Sequence, residues 1–186
     1  MKYFKKLVAE KIYLSPINED DYLQYTQWIN DTSIGINFGQ ASRVTSIERE
    51  KEFLAGMTKS GINLAIVKLE NDELLGNCSL MHIHQINRTA ELGIFIGAAG
   101  NRNRGYGTEA AKLMVEYGVR ILNLQNIMLR VFEYNTNAIK AYQKAGFKQF
   151  GRRTGSCYLD GKYYDEIYME IRADNVESVF LKDILP

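Results

Sequence analysis

The chain has 186 residues, 46% hydrophobic and 24% charged, with only 2 prolines. This suits one sizeable soluble domain and excludes a disordered, collagen-like or low-complexity protein. Lysine and arginine number 23 against 22 acids, a net charge of +1, so nothing suggests bulk attraction to nucleic acid or membrane.

Two cysteines, Cys78 and Cys157, cannot build a disulfide framework, and neither sits in a CxxC pair. The early apolar stretch is only Leu7, Val8 and Ala9, too short for a signal peptide, and no run approaches a membrane span. A cytoplasmic protein without nucleic-acid, membrane or metal partners is expected.

Residues 1–10 read as a lead-in, 11–174 as one domain and 175–186 as a C-terminal tail. The stretch 11–14 predicts a strand stopped by Pro16. Asn18 is placed to cap a helix carrying Tyr22, Tyr25, Thr26 and Ile29. Thr45 with Glu48 fits a capping box for a second helix, whose Ile47, Leu54 and Met57 share a face. Period-two patterning then predicts strands over 63–69, Leu74–His84 and Thr89–Ile96. Ala110, Leu113, Met114, Tyr117 and Ile121 form the apolar stripe of a helix over 108–122. A strand over 127–132 and a helix over 135–145, ended by Gly146, follow. Asp160-Gly161 is a hairpin turn between Lys148–Leu159 and a strand over 162–171. A short helix over 175–185 is expected to end the chain. The order β-α-α-β-β-β-α-β-α-β-β describes an α/β protein with a mixed sheet.

The most informative stretch is IFIGAAGNRNRGYGTEAA, residues 94–111. A strand leads into a loop with Arg102, Arg104, Gly105 and Gly107, and the loop opens a helix. Glycines admit close backbone approach, and the first amides of a helix have no internal acceptor. With the positive end of the helix dipole they make an anion site. A P-loop is excluded because Tyr106 stands where the lysine must be. Gly105, Gly107 and Ala110 satisfy a dinucleotide pattern, with Glu133 near the end of the next strand. Against it, residues 97–104 intervene where the turn should follow its strand directly.

With its flanks, the stretch resembles the GNAT superfamily of acyl-CoA N-acyltransferases. The signature Q/R-x-x-G-x-G/A appears as Arg102-Asn103-Arg104-Gly105-Tyr106-Gly107, and N-x-x-A-x-x-x-Y-x-x-x-G-F as Asn135, Ala138, Tyr142 and Gly146-Phe147. The resemblance spans about 11–171, and its look is nearest the branch of ribosomal-protein N-terminal acetyltransferases. That branch also acetylates amino sugars, polyamines and antibiotics, so it leaves the acceptor open. The resemblance implies a central, splayed, mostly antiparallel sheet flanked by helices. It implies direct transfer of acetyl from acetyl-CoA to a primary amine, in a ternary complex, with a small-molecule amine or protein N-terminus as acceptor. A homodimer is left open. Two other classes are weighed: a non-catalytic acyl-CoA-binding regulatory module, and a nicotinamide-dependent oxidoreductase.

By the same resemblance, Arg102, Asn103, Arg104, Gly105, Tyr106, Gly107 and Thr108 hold the pyrophosphate, chiefly through backbone amides, with Gly107 in an unusual loop conformation. The backbone of Ile94, Phe95 and Ile96 aligns the pantetheine arm. Tyr142 is the acid for the leaving thiolate, and Asn135 bonds the pantetheine as well as capping its helix. Strand parity puts Glu91 with Thr89, Gly93 and Phe95, away from Ala90, Leu92, Ile94 and Ile96. Glu91 is either the base, or a cross-strand hydrogen-bond partner or solvated side chain. Asp165 shares the apolar parity of the last strand and either satisfies backbone or meets the acceptor's ammonium group, with Tyr163 beside it. Cys78, His82 and His84 share strand parity, but their spacing argues against a metal site.

Overall fold

The computed structural model describes residues 2–180 except 60, 98, 177 and 179. Eight strands form one sheet in the order β1-β2-β3-β4-β5-β6-β8-β7. They are β1 Leu7–Val8, β2 Ile12–Pro16, β3 Ile62–Lys68, β4 Leu74–His84, β5 Thr89–Ile96, β6 Asn126–Phe132, β7 Lys148–Leu159 and β8 Lys162–Arg172. Every neighbouring pair is antiparallel except β5 with β6.

The near-continuous apolar run of β3 reflects a sheet covered on both faces. Leu64 and Ile66 enter one core, while Ala65 and Val67 enter the other. The first core holds Ala110, Leu113 and Met114 of α4 (Tyr106–Glu116), with Ala138, Ile139 and Tyr142 of α5 (Thr136–Lys144) packed against it. The second holds Tyr25 and Trp28 of α1 (Tyr22–Ile29), Ile34 of α2 (Thr32–Gly35) and Leu54 of α3 (Ile47–Lys59). Leu113 is fully buried, and truncating it to alanine costs about 2–5 kcal/mol.

Several local expectations shift. Asn18 caps a short 3-10 turn, Glu19–Asp21, that feeds α1. The cap of α3 is one residue later than expected: the Ser46 hydroxyl accepts the Arg49 amide at 3.3 Å, while the Thr45 hydroxyl is buried without a partner among the described residues. Helix α4 starts at Tyr106, since Gly105 at φ 90 turns the chain into it, and it runs on as a π-helical turn, Tyr117–Ile121. The lead-in contains β1, and α2 with the following 3-10 turn Ile36–Phe38 falls in a stretch given no element. The expected tail helix lies largely outside the described residues. Among the described residues no helix is long and apolar enough to cross a membrane.

Candidate active site

β5 and β6 pair over three positions only, Thr89 with Asn126, Ala90 with Ile127 and Glu91 with Met128. Beyond them β5 stays paired with β4 as far as Ile96, and β6 with β8 as far as Phe132. Each strand keeps its outer neighbour and loses its inner one, so the facing backbone edges lack a ladder partner. The cleft that opens there has a volume of about 710 Å³.

The glycine loop and the start of α4 line this cleft through Arg102, Asn103, Gly105, Tyr106, Gly107 and Thr108. Arg104 is exposed and is not part of the lining. Gly105 is the N-cap of α4 and no side chain among the described residues caps it, which leaves the first amides of the helix open to an acceptor. Arg102 Nη2 is buried with no partner among the described residues, a costly state that an anion would relieve. Gly107 lies in the first helical turn and has no positive φ; the unusual backbone belongs to Gly105. The Lys11 amide donates to Glu109 at 2.9 Å and ties the helix to β2.

Across the cleft stands α5. Asn135 caps it by accepting the Ala138 amide at 3.2 Å and also lines the cleft. The Tyr142 ring packs on the first core and edge-on against Phe147, with centroids 6.0 Å apart. Its hydroxyl has no partner among the described residues, and burial pushes its pKa up to about 12. A phenol held in that state keeps its proton at neutral pH and can donate it.

Glu91 lines the cleft with its carboxylate engaged on both oxygens. Arg130 Nε donates to Oε1 at 2.8 Å, and His82 Nδ1 lies 3.2 Å from Oε2. The Arg130 bond makes Glu91 a cross-strand partner within the cleft. Ile94 and Ile96 line the cleft, whereas the Phe95 ring turns to the other face, against Tyr25, Trp28 and Phe38.

The structure does not bring Asp165 and Tyr163 to the cleft. Asp165 accepts from Arg152 Nε and, at 2.8 Å, from the Gly155 amide. The Gly155 bond and then Arg152 hold its carboxyl below the ordinary carboxylate range. Tyr163 is 71% exposed and tilts against Tyr158. Glu133 accepts from Arg152 at 2.6 Å and from the Asp165 amide at 2.8 Å, so it is not poised for a ribose. Cys78 is buried against the Leu64 carbonyl, and His84 accepts the Asn87 amide; among the described residues no group is placed to hold a metal ion.

Arg130, Glu166, Phe38 and Lys140 also line the cleft and carried no local sequence signal. Phe38 belongs to the turn that closes over β6. There the Tyr134 hydroxyl donates to the Ile36 carbonyl at 2.7 Å, and a Cβ on Gly39 would stand 2.9 Å from the Phe132 ring.

A family model described as an acetyltransferase (GNAT) domain matches residues 11–148. Spermidine N(1)-acetyltransferase of Escherichia coli K12 is 26% identical over 161 residues, covering 87% of this chain and 86% of its own. A Bacillus anthracis acetyltransferase of the GNAT family superposes with a TM-score of 0.79 at 20% identity, over 90% of this chain and 98% of that one. Spermidine N-acetyltransferase from Vibrio cholerae, solved with CoA and spermine, gives 0.79 at 22% identity, over 89% and 97%.

Proposed function

The chain belongs to the GNAT acetyltransferase family, and on that premise we propose that the cleft brings acetyl-CoA and a primary amine together from opposite faces of the sheet. The protein is an acetyl-CoA-dependent N-acetyltransferase. The observation that carries the site assignment is the parting of β5 and β6 after Glu91 and Met128, with Tyr142 and the glycine loop on the walls of the gap.

Charge divides the cleft in the sense this requires. Arg102 and the exposed Lys140 and Lys144 lie on the side of α4 and α5, where the open amides of α4 favour a pyrophosphate. Glu91 shares its strand face with Phe95, which packs on the side of α1. Glu91, Glu166 and Arg130 leave that side net acidic, which suits an ammonium. The free β5 edge from Leu92 to Ile96 offers backbone groups to the amide-bearing arm of the donor.

Acetyl-CoA is a substrate that supplies an activated acyl carbon and a thiolate leaving group. The amine nitrogen forms the new C–N bond as the C–S bond breaks. Glu91, directly or through water, takes the proton the ammonium loses to become a nucleophile, and solvent takes the second proton as the amide forms. Tyr142 gives its hydroxyl proton to the departing sulfur. Asn135 fixes the start of α5 and so the place of Tyr142. Titrating acetyl-CoA into the protein by calorimetry tests the donor side: micromolar binding, weakened in Arg102→Ala, is expected. Wild-type affinity in a folded Arg102→Ala variant would remove that arginine from the site.

A further inference from the structure

The Glu91 side chain is only 14% exposed. A base in that position holds a proton after each transfer, and the next transfer needs it gone. Its two partners differ in what they can do about it. Arg130, on Oε1, is a donor only, whereas an imidazole accepts a proton on one ring nitrogen and releases one from the other. His82 Nδ1 lies 3.2 Å from Oε2, and its side chain is 76% exposed. The ring therefore spans the step from the enclosed carboxylate to bulk solvent.

The backbone is bent to put it there. Met81 pairs with Glu91 and His84 with Thr89, so His82 and Ile83 stand opposite Ala90 alone. That is a bulge, the device by which a strand re-aims a side chain. His82 has φ 50, a conformation uncommon outside glycine. Regular alternation would have sent residue 82 to the face opposite Met81 and Glu91. The other charged groups nearby are engaged: Glu166 bears on Arg130 from β8 at 3.8 Å, and the His84 ring accepts the Asn87 amide at 3.0 Å. We propose that His82 is the proton exit of the active site, acting through Glu91 to carry the acceptor's proton to solvent. With its own proton on Nε2, the ring accepts the Glu91 proton at Nδ1 and releases the Nε2 proton to water or a buffer base. Glu91 is left as a carboxylate, and exchange with water at the exposed ring restores the starting tautomer. The assignment rests on the acetyl-transfer function and the Glu91 base proposed above.

The test uses two variants that suit a positive φ. His82→Gly is at ease there and leaves room for free imidazole. His82→Asn tolerates it too and keeps an amide near the place of Nδ1, able to bond Glu91 but not to carry a proton. At saturating substrates in weak buffer, both should lose about 10–100-fold in kcat, with KM for acetyl-CoA unchanged. Added imidazole should restore turnover in His82→Gly. A ring that merely holds Glu91 in place predicts parent turnover in His82→Asn. Retained acetyl-CoA binding, read by calorimetry, certifies that the variants fold. Parent turnover in either folded variant, or a slow His82→Gly that imidazole does not restore, would overturn the role of His82 alone, with Glu91→Gln still slow. A Glu91→Gln variant as fast as the parent at every pH would overturn the base and this exit together.

Discussion

Glu91 and Met128 occupy the last paired position of the parallel β5–β6 contact, and the strands separate immediately beyond them. That places the carboxylate at the apex of the gap, where both faces of the sheet can be reached. The glycine loop, α5 and Arg130 line the same cleft, and the predictions below follow from it.

Tyr142→Phe removes only a hydroxyl and preserves the packing on Phe147. Turnover should fall by about 10²–10⁴-fold, the range for losing a general acid, while acetyl-CoA binds nearly as before. The loss should shrink with an acyl donor whose leaving thiol is more acidic. Because the Tyr142 pKa is pushed up to about 12, the phenol stays protonated well past neutrality. The ratio of parent to variant rates should therefore be flat over about pH 6–10. Wild-type turnover in a folded variant would leave water as the proton donor.

Glu91→Gln is nearly isosteric and cannot accept a proton. The rate should drop by about 10²-fold at neutral pH, where an acceptor amine is mostly protonated. The deficit should narrow as pH rises and free amine accumulates. A pH–rate profile identical to the parent's would return Glu91 to a purely structural place beside Arg130.

The two loop glycines should behave differently. Gly105 sits at φ 90, so Gly105→Ala should cost about 1–2 kcal/mol of stability as well as weakening acetyl-CoA. Gly107 is helical, and a Cβ there would lie 4.0 Å from Ile96. Gly107→Val should keep the fold and obstruct the approach of the pyrophosphate to the helix start. Thermal melts and calorimetry on the pair read both effects; unchanged cofactor affinity in folded Gly107→Val contradicts the phosphate-loop assignment.

Asp165→Asn should lower the melting temperature at neutral pH. The Asp165 carboxyl is depressed by the Gly155 amide and then by Arg152, so its stabilisation is present above the ordinary aspartate value. It is lost as pH falls through the depressed folded value, and the gap between parent and variant should close in strong acid. Melts from pH 7 downward check this; a gap that widens in acid contradicts the network.

Elements whose signals are local were legible in the sequence. The alternation of β5, the glycine loop and the Asn135 cap of α5 needed no knowledge of their neighbours. Arg130 was missed because its bond to Glu91 joins residues 39 apart in sequence and exists only through the parallel register of β5 and β6. Parity placed Asp165 with the core strand, but the bulge between Arg153 and Cys157 brings the Gly155 amide and Arg152 onto it. The turn at Ile36–Phe38 is too short for periodicity, and tertiary contacts to Tyr134 and Phe132 hold it. The motif contains both Gly105 and Gly107, and only the backbone reveals which one needs its freedom.

The most direct test is to follow CoA thiol and acetylated amine together, by thiol reagent and mass spectrometry, across a panel of primary amines. The account predicts that thiol appears one for one with acetylated product, only when both substrates are present, and that Tyr142→Phe slows both equally. Acetyl-CoA binding without acetylation of any amine, or thiol release without acetylated product, would contradict it.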